Sequence, residues 1–240
     1  MGTDAYKVKQ AGRPPTQACS AFRQRVKEVR DDTGYGSKKI HVTLSREGFS
    51  VSKRQIQKIL DELGLTQPCE KRRGQKKYVR YQMSASNVMW HTDWTTFEKK
   101  QYCGYLDDRS RKIMSAGVFN NATEQNALFL LHQAILRNRA IPYIVLSDKG
   151  TQFYNSTPDQ HGKLTPSLFE QGLQQLGIKF WTCRKGHPQT NGKMEKWFDT
   201  MKQGLIRRPD IGVFVKWYNE EYIHESLAYR TPEEIYREML

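Results

Sequence analysis

Val88-Met-Trp-His-Thr-Asp-Trp-Thr-Thr-Phe97 is dense in aromatic and β-branched residues and reads as a strand. Side chains alternate along a strand, so His91, Asp93 and Thr95 share one face and Thr92 and Trp94 the other. Two more strands follow, Gln101–Asp107 and Ile113–Phe119, with Asp108-Arg-Ser-Arg-Lys112 as the turn between them. Three strands so closely connected predict an antiparallel meander. Glu124–Arg137 then has helical spacing, with Ala127, Leu128, Leu131 and Ile135 on its buried side. Pro142–Leu146 is an apolar strand that runs into Ser147-Asp148. Ser167–Leu176 is a helix stopped at Gly177, and Ile178–Thr182 is a fifth strand. A last amphipathic helix opens at a Gly-His-Pro turn and carries Met194, Trp197, Phe198, Met201 and Leu205 as its stripe. The order β-β-β-α-β-α-β-α predicts an α/β domain over 86–240, a mixed sheet covered by helices on both faces.

Upstream the periodicity is wholly helical. Phe22, Val26 and Val29 mark one helix ending near Gly34; Ile40 and Leu44 mark a second, closed by Gly48. Ser50 or Ser52 is placed to cap a third, with Ile56, Ile59, Leu60 and Leu63 at i, i+3, i+4 and i+7. Two short helices around a glycine-containing turn predict a small helix-turn-helix domain over 18–66. The outer side of its last helix offers Lys53, Arg54, Gln57 and Lys58, residue types that contact phosphates and base edges. Residues 1–17 are polar and read as a flexible basic arm. Residues 67–85 form a linker whose Arg72, Arg73, Lys76 and Lys77 could track phosphates.

Charge follows the same division. Of a formal net +14, residues 1–82 hold 19 Lys/Arg against 8 Asp/Glu, a net of +11, which leaves 20 against 17 in the remainder. So uneven a balance points to a polyanionic partner, double-stranded DNA, met chiefly by the first third of the chain. The four cysteines, Cys19, Cys69, Cys103 and Cys183, form no C-x-x-C pair, which argues against a zinc ribbon or dithiol redox site. No apolar run is long enough to span a bilayer and no signal-peptide core is present, so a soluble, cytoplasmic, nucleoid-associated protein is expected.

Asp93, Asp148 and Glu195 are the residues with chemical promise. The two aspartates are read at or near strand ends, and Glu195 about two turns into the last helix, beside its apolar stripe. Taken singly, each has an ordinary reading: a surface strand residue, a turn former, a solvated helix residue. Brought together they would repel by about 4 kcal/mol per pair at ~4 Å and an effective dielectric near 20. A hard divalent cation with oxygen ligands resolves that repulsion, and Mg²⁺ (or Mn²⁺) binds through few carboxylates while leaving positions for water and phosphate.

His91-Thr-Asp-Trp-Thr95, Ser147-Asp-Lys-Gly-Thr-Gln-Phe153 and Gly186-His-Pro-Gln-Thr-Asn-Gly-Lys-Met-Glu195 resemble the three catalytic blocks of DDE transposases in the retroviral-integrase superfamily. The resemblance is strongest to insertion-sequence transposases of prokaryotes, including archaeal ones. Tyr105-Leu-Asp-Asp-Arg-Ser-Arg111, Gly34-Tyr-Gly-Ser-Lys-Lys-Ile-His41 and the segment from Trp217-Tyr-Asn219 to Thr231-Pro-Glu-Glu234 extend it over most of the chain from residue 34. It implies an RNase H-like fold with a five-stranded sheet, and Mg²⁺-dependent strand cleavage and transfer, with two ions per site held by Asp93, Asp148 and Glu195. Water and then a freed 3′-hydroxyl would be the nucleophiles. His187, Gln189, Asn191 and Lys193 would lie near DNA, Thr151 and Gln152 would border Asp148, and synapsis of two ends implies a homodimer or higher multimer.

One departure stands out: 46 residues separate Asp148 from Glu195, more than the retroviral-type spacing, with the surplus at Asn155–Ser167. Two other readings compete, a domesticated non-catalytic DNA-binding regulator and a structure-selective nuclease on the same fold.

Overall fold

The structure is a computed structural model and describes residues 20–66, 82–155, 158, 160, 164–183 and 192–238. These fall into two compact units, 20–66 and 82–238.

The first unit is three helices, α1 (Ser20–Thr33), α2 (Ser37–Arg46) and α3 (Lys53–Glu62). Its core is the apolar set read from the sequence, Phe22, Val26 and Val29 with Ile40, Leu44, Ile56, Ile59 and Leu60, except that Leu63 is only half-buried and Tyr35 joins it. The α2–α3 turn passes through Gly48 at φ 89, a conformation that a Cβ would disfavour. Ser52 then caps α3 in a capping box with Gln55, which satisfies helix N–H groups that would otherwise be orphaned. Arg30 pins the remaining ends, donating to the carbonyls of Gly34, Tyr35 and Leu65.

The second unit is a mixed five-stranded sheet of order β3-β2-β1-β4-β5, made of β1 (Met89–Phe97), β2 (Lys100–Asp107), β3 (Ile113–Phe119), β4 (Ile144–Ser147) and β5 (Lys179–Thr182). The first three are the expected antiparallel meander; β4 joins β1 in parallel, and β5 joins β4 in parallel. Strand alternation sorts the core into two layers. Trp90, Cys103, Tyr105 and Val145 face one way, toward α4 (Glu124–Asn138) and α5 (Leu168–Gln175). Tyr102, Leu106 and Ile113 face the other way, toward α6 (Gly192–Leu205) and α7 (Ile211–Glu220). The fold is thus RNase H-like, with helices on both faces.

Two helices were not anticipated from periodicity, α7 and α8 (Pro232–Glu238). α7 buries Phe214, Trp217 and Tyr218, and its Asn219 serves the edge strand β3. The Asn219 side chain donates to the Ile113 carbonyl (2.9 Å) and accepts from the Ile113 N–H (2.8 Å), pairing an edge that a neighbouring chain could otherwise extend. The long segment between β4 and α5 is closed at its neck. Ser167 Oγ donates to the Phe153 carbonyl (2.8 Å), and Asn155 Nδ2 donates to the carbonyl and hydroxyl of Thr165 (both 3.2 Å).

Candidate active site

Asp93 is the fifth of nine residues in β1, so it lies mid-strand rather than at a strand end as expected. The relevant end is that of the pairing with β4, which stops at His91↔Leu146. Two residues beyond that last pair come Asp93, still in β1, and Asp148, just past β4, so the two aspartates follow the same ladder end at the same step. Asp148 is the first residue past β4 and is exposed, at the carboxyl edge where parallel strands place ligands.

The face of Asp93 follows from its partner. Asp93 lies opposite Gly104 in the β1–β2 ladder, and opposed residues point to the same side. A Cβ on Gly104 would come within 3.2 Å of the Trp197 ring, so α6 lies directly on that side. Trp197 is two residues beyond Glu195. Glu195 is exposed and falls in the first turn of α6 as described from Gly192 onward; the opening expected at Gly186-His-Pro188 lies outside the described residues. Asp93 thus faces the side that α6 covers, and Glu195 is borne by that covering helix. Among the described residues, no three of His, Cys, Asp or Glu come close enough together to hold a metal ion.

Local hydrogen bonds orient the two aspartates. Asp93 Oδ1 accepts the N–H of Trp94 (2.8 Å), and Asp148 Oδ1 accepts the N–H of Gly150 (2.9 Å), so each aspartate is held by its own backbone. Mutual repulsion of carboxylates opposes any closer approach by the chain alone. The donors themselves, three carboxylates at exposed or half-buried positions, are the hard oxygen ligands that Mg²⁺ or Mn²⁺ prefers. Beside Asp148, Thr151 and Gln152 line an open polar groove of about 730 Å³ with Thr123, Glu124 and Asn155.

Sequence reasoning missed a buried ionic cluster just behind these groups. Asp107 ends β2 and Asp108 opens the turn after it, as expected, yet both side chains are fully buried. Asp107 fixes the turn, accepting from the N–H and hydroxyl of Ser110 and from the N–H of Asn87; burial outweighs these bonds and pushes its carboxyl up. Asp108 Oδ1 accepts from His91 Nε2 (2.6 Å) and from the Lys193 ammonium, and Oδ2 accepts the N–H of Met83 (2.7 Å). Burial alone would raise the Asp108 carboxyl, but the bonds from His91, Lys193 and Met83 hold it well below the usual carboxylate range. Since Asp108 is then acceptor-only, His91 carries its proton on Nε2. Lys193, expected at the DNA, instead points into the protein and leaves only 16% of its side chain exposed. Burial, then the charge of Arg111, brings its pKa down to about 8 against the pull of Asp108. The cluster is assembled from β1, the turn after β2, α6 and the segment entering the sheet, pieces that no local pattern links.

In the helical unit, Lys53 and Arg54 are exposed on the first turn of α3. Gln57 donates instead to Asp61 (2.9 Å) and Thr66 (3.2 Å), and Lys58 lies 3.8 Å from Glu62. Arg72, Arg73, Lys76, Lys77, His187, Gln189 and Asn191 lie outside the described residues.

Residues 84–188 match the integrase core domain family and residues 20–73 an HTH-like domain family, the same two modules as the sheet and the three-helix unit. The chain thus carries an integrase core domain behind an HTH-like domain, modules that mark it as related to transposases and integrases of the insertion-sequence type. It is similar to the transposase for insertion sequence element IS904 of Lactococcus lactis, with 24% identity over 230 residues, covering 83% of this chain and 86% of that one. An uncharacterized transposase-like protein of Haemophilus influenzae is also 24% identical, over 79% of this chain and 89% of its own length. A chain of the simian T-cell lymphotropic virus intasome superposes with a TM-score of 0.54 at 16% identity, covering 88% of this chain and 74% of that chain, a likeness of fold.

Proposed function

We propose that this protein cuts and joins the DNA ends of a mobile element by phosphoryl transfer at Asp93, Asp148 and Glu195. The observation that carries the reading is the matched step of Asp93 and Asp148 beyond one ladder end, with Asp93 on a sheet face whose covering helix bears Glu195. The domain over 86–240 performs the chemistry. The domain over 18–66 binds the element's ends through Lys53 and Arg54 at the start of α3, and the basic segment over 67–85 follows phosphates between them.

Asp93, Asp148 and Glu195 would hold Mg²⁺ or Mn²⁺, two ions in all. Such ions supply the positive charge that activates an attacking hydroxyl and stabilises the leaving oxygen of an in-line displacement. The protein's own contribution is position. The meander holds Asp93 rigid, the turn at Gly150 directs Asp148, and Trp197 seats the helix that bears Glu195 against the sheet. Working on two ends at once calls for a homodimer or higher multimer on the DNA.

The test is Asp148→Asn on labelled duplex carrying the element's terminal repeat. DNA affinity is expected to match wild type while Mg²⁺-dependent nicking disappears. A wild-type protein that neither nicks nor joins that duplex with Mg²⁺ or Mn²⁺ would leave the non-catalytic regulator as the better reading. Nicking without joining, and without preference for the repeat, would favour the nuclease.

A further inference from the structure

We propose that Asp108 is the positioning residue of the active site, a single buried carboxylate that aims both Asp93 and Glu195 through His91 and Lys193. The proposal rests on the phosphoryl-transfer reading above and adds to it residues that never touch the DNA.

Three separate pieces of chain meet at this carboxylate. His91 comes from β1, Lys193 from α6 and the Met83 N–H from the segment entering the sheet. His91 and Asp108 are fully buried. His91 is two residues before Asp93 and, by strand alternation, on the same face, so fixing one fixes the level and direction of the other. Lys193 is two residues before Glu195 in the first turn of α6. Side chains two apart on an α-helix project about 200° from one another. With Met194, Trp197 and Phe198 facing the sheet, Lys193 and Glu195 flank that stripe on opposite sides, so a bond fixing Lys193 sets the rotation of the turn and with it the flank that presents Glu195. Met194 between them is fully buried and leaves the turn little freedom to swivel.

The cluster is a poor device for stability alone. Two buried ions are costly to desolvate, and apolar side chains of similar volume would serve as well or better. Nor is Asp108 needed to shape the β2–β3 turn, where Asp107 already binds Ser110 and Asn87. What an ionic contact adds is direction, since one oxygen accepts from both a strand and a helix.

Lys193→Met in the full chain separates this role from a DNA contact. The expected result is a 10- to 100-fold loss of kcat for cleavage, roughly the effect of removing a group that orients a ligand. KM and affinity for the terminal-repeat duplex should be unchanged, the protein should remain folded at the assay temperature, and Lys193→Arg should recover most of the rate. Asp108→Asn should lose a similar factor, and the double variant little more than either alone, because both break one network. Should Asp108→Asn fail to fold, Lys193→Met at its partly exposed position carries the test. An unchanged kcat in Lys193→Met, with wild type active, overturns the proposal. So does a fall in DNA affinity with kcat retained, which would return Lys193 to the DNA. An inactive wild type instead removes the phosphoryl-transfer reading itself.

Discussion

Gly104→Ala tests how tightly the catalytic helix is seated. A methyl at residue 104 would lie 3.1 Å from the Ser115 carbonyl oxygen and 3.2 Å from Cη2 and Cζ3 of Trp197. Ordinary carbon contacts begin a few tenths of an ångström further out. The Ser115 carbonyl belongs to a paired strand and cannot retreat without breaking the sheet, whereas Trp197 is 1% exposed and can move only with α6. Overpacking of this kind costs about 1–3 kcal/mol. Alanine returns about 0.4–1 kcal/mol by restricting the unfolded chain, which leaves a net loss of about 1–2 kcal/mol. At about 2–4 °C per kcal/mol for a domain of this size, the catalytic unit should melt roughly 2–8 °C lower. Calorimetry on the full chain resolves that transition, and single-turnover cleavage measured well below it should also slow, because Glu195 moves with the ring. Adding Trp197→Phe should recover part of both losses, a coupling expected only of groups in contact. A melting temperature equal to or above wild type, with the cleavage rate intact, would refute the claim that Trp197 presses on Gly104.

Arg54→Ala should weaken binding to the terminal-repeat duplex and lower the slope of log affinity against log salt by about one if the guanidinium meets a phosphate, with Mg²⁺ dependence untouched. Equal affinities across several salt concentrations would remove α3 from the interface. Asp108 carries the acid prediction. Its carboxyl titrates below the usual range in the folded protein, so its share of stability is complete above about pH 4 and is lost as the pH falls toward its folded value. Stability of wild type should therefore drop more steeply than that of Asp108→Asn between about pH 4 and pH 2, and parallel curves in denaturant titrations would contradict it.

What was legible in the sequence was whatever a local pattern can carry. Alternation in β1 sorted Asp93 from Trp94, capping residues marked the start of α3, and the stripe on α6 was read residue for residue. Asp93 and Asp148 were recognisable as a pair because each sits in a short block of its own. Side-chain direction that depends on strand register was not legible. Asp108 looks like any polar turn residue until the pairing of β1 with β2 brings His91 to it. Lys193 looked like a DNA contact for the same reason: a lysine beside a catalytic helix start has a basic residue's usual reading until Asp108 is found to be its partner. α7 did carry a local signal that went unread, Phe214, Trp217 and Tyr218 at i, i+3 and i+4 behind an Asp210 cap.

The 46 residues between Asp148 and Glu195 lose much of their strangeness once the contacts of α6 are considered. Chain length between two catalytic residues matters only if the connecting segment sets their separation. Here α6 is located by contacts remote in sequence, Trp197 on Gly104 and Lys193 on Asp108, both made with the β1–β3 meander that also carries Asp93. The segment after Asp148 is closed at its own neck through Phe153–Ser167 and Asn155–Thr165, so chain added inside that neck leaves the entry to α5 in place. The remaining cost is loop closure, which grows only as the logarithm of length, about 0.6 kcal/mol per doubling. Insertions within this neck should therefore be tolerated, whereas a change at Gly104 or Asp108, far from Glu195 in sequence, should reach it directly.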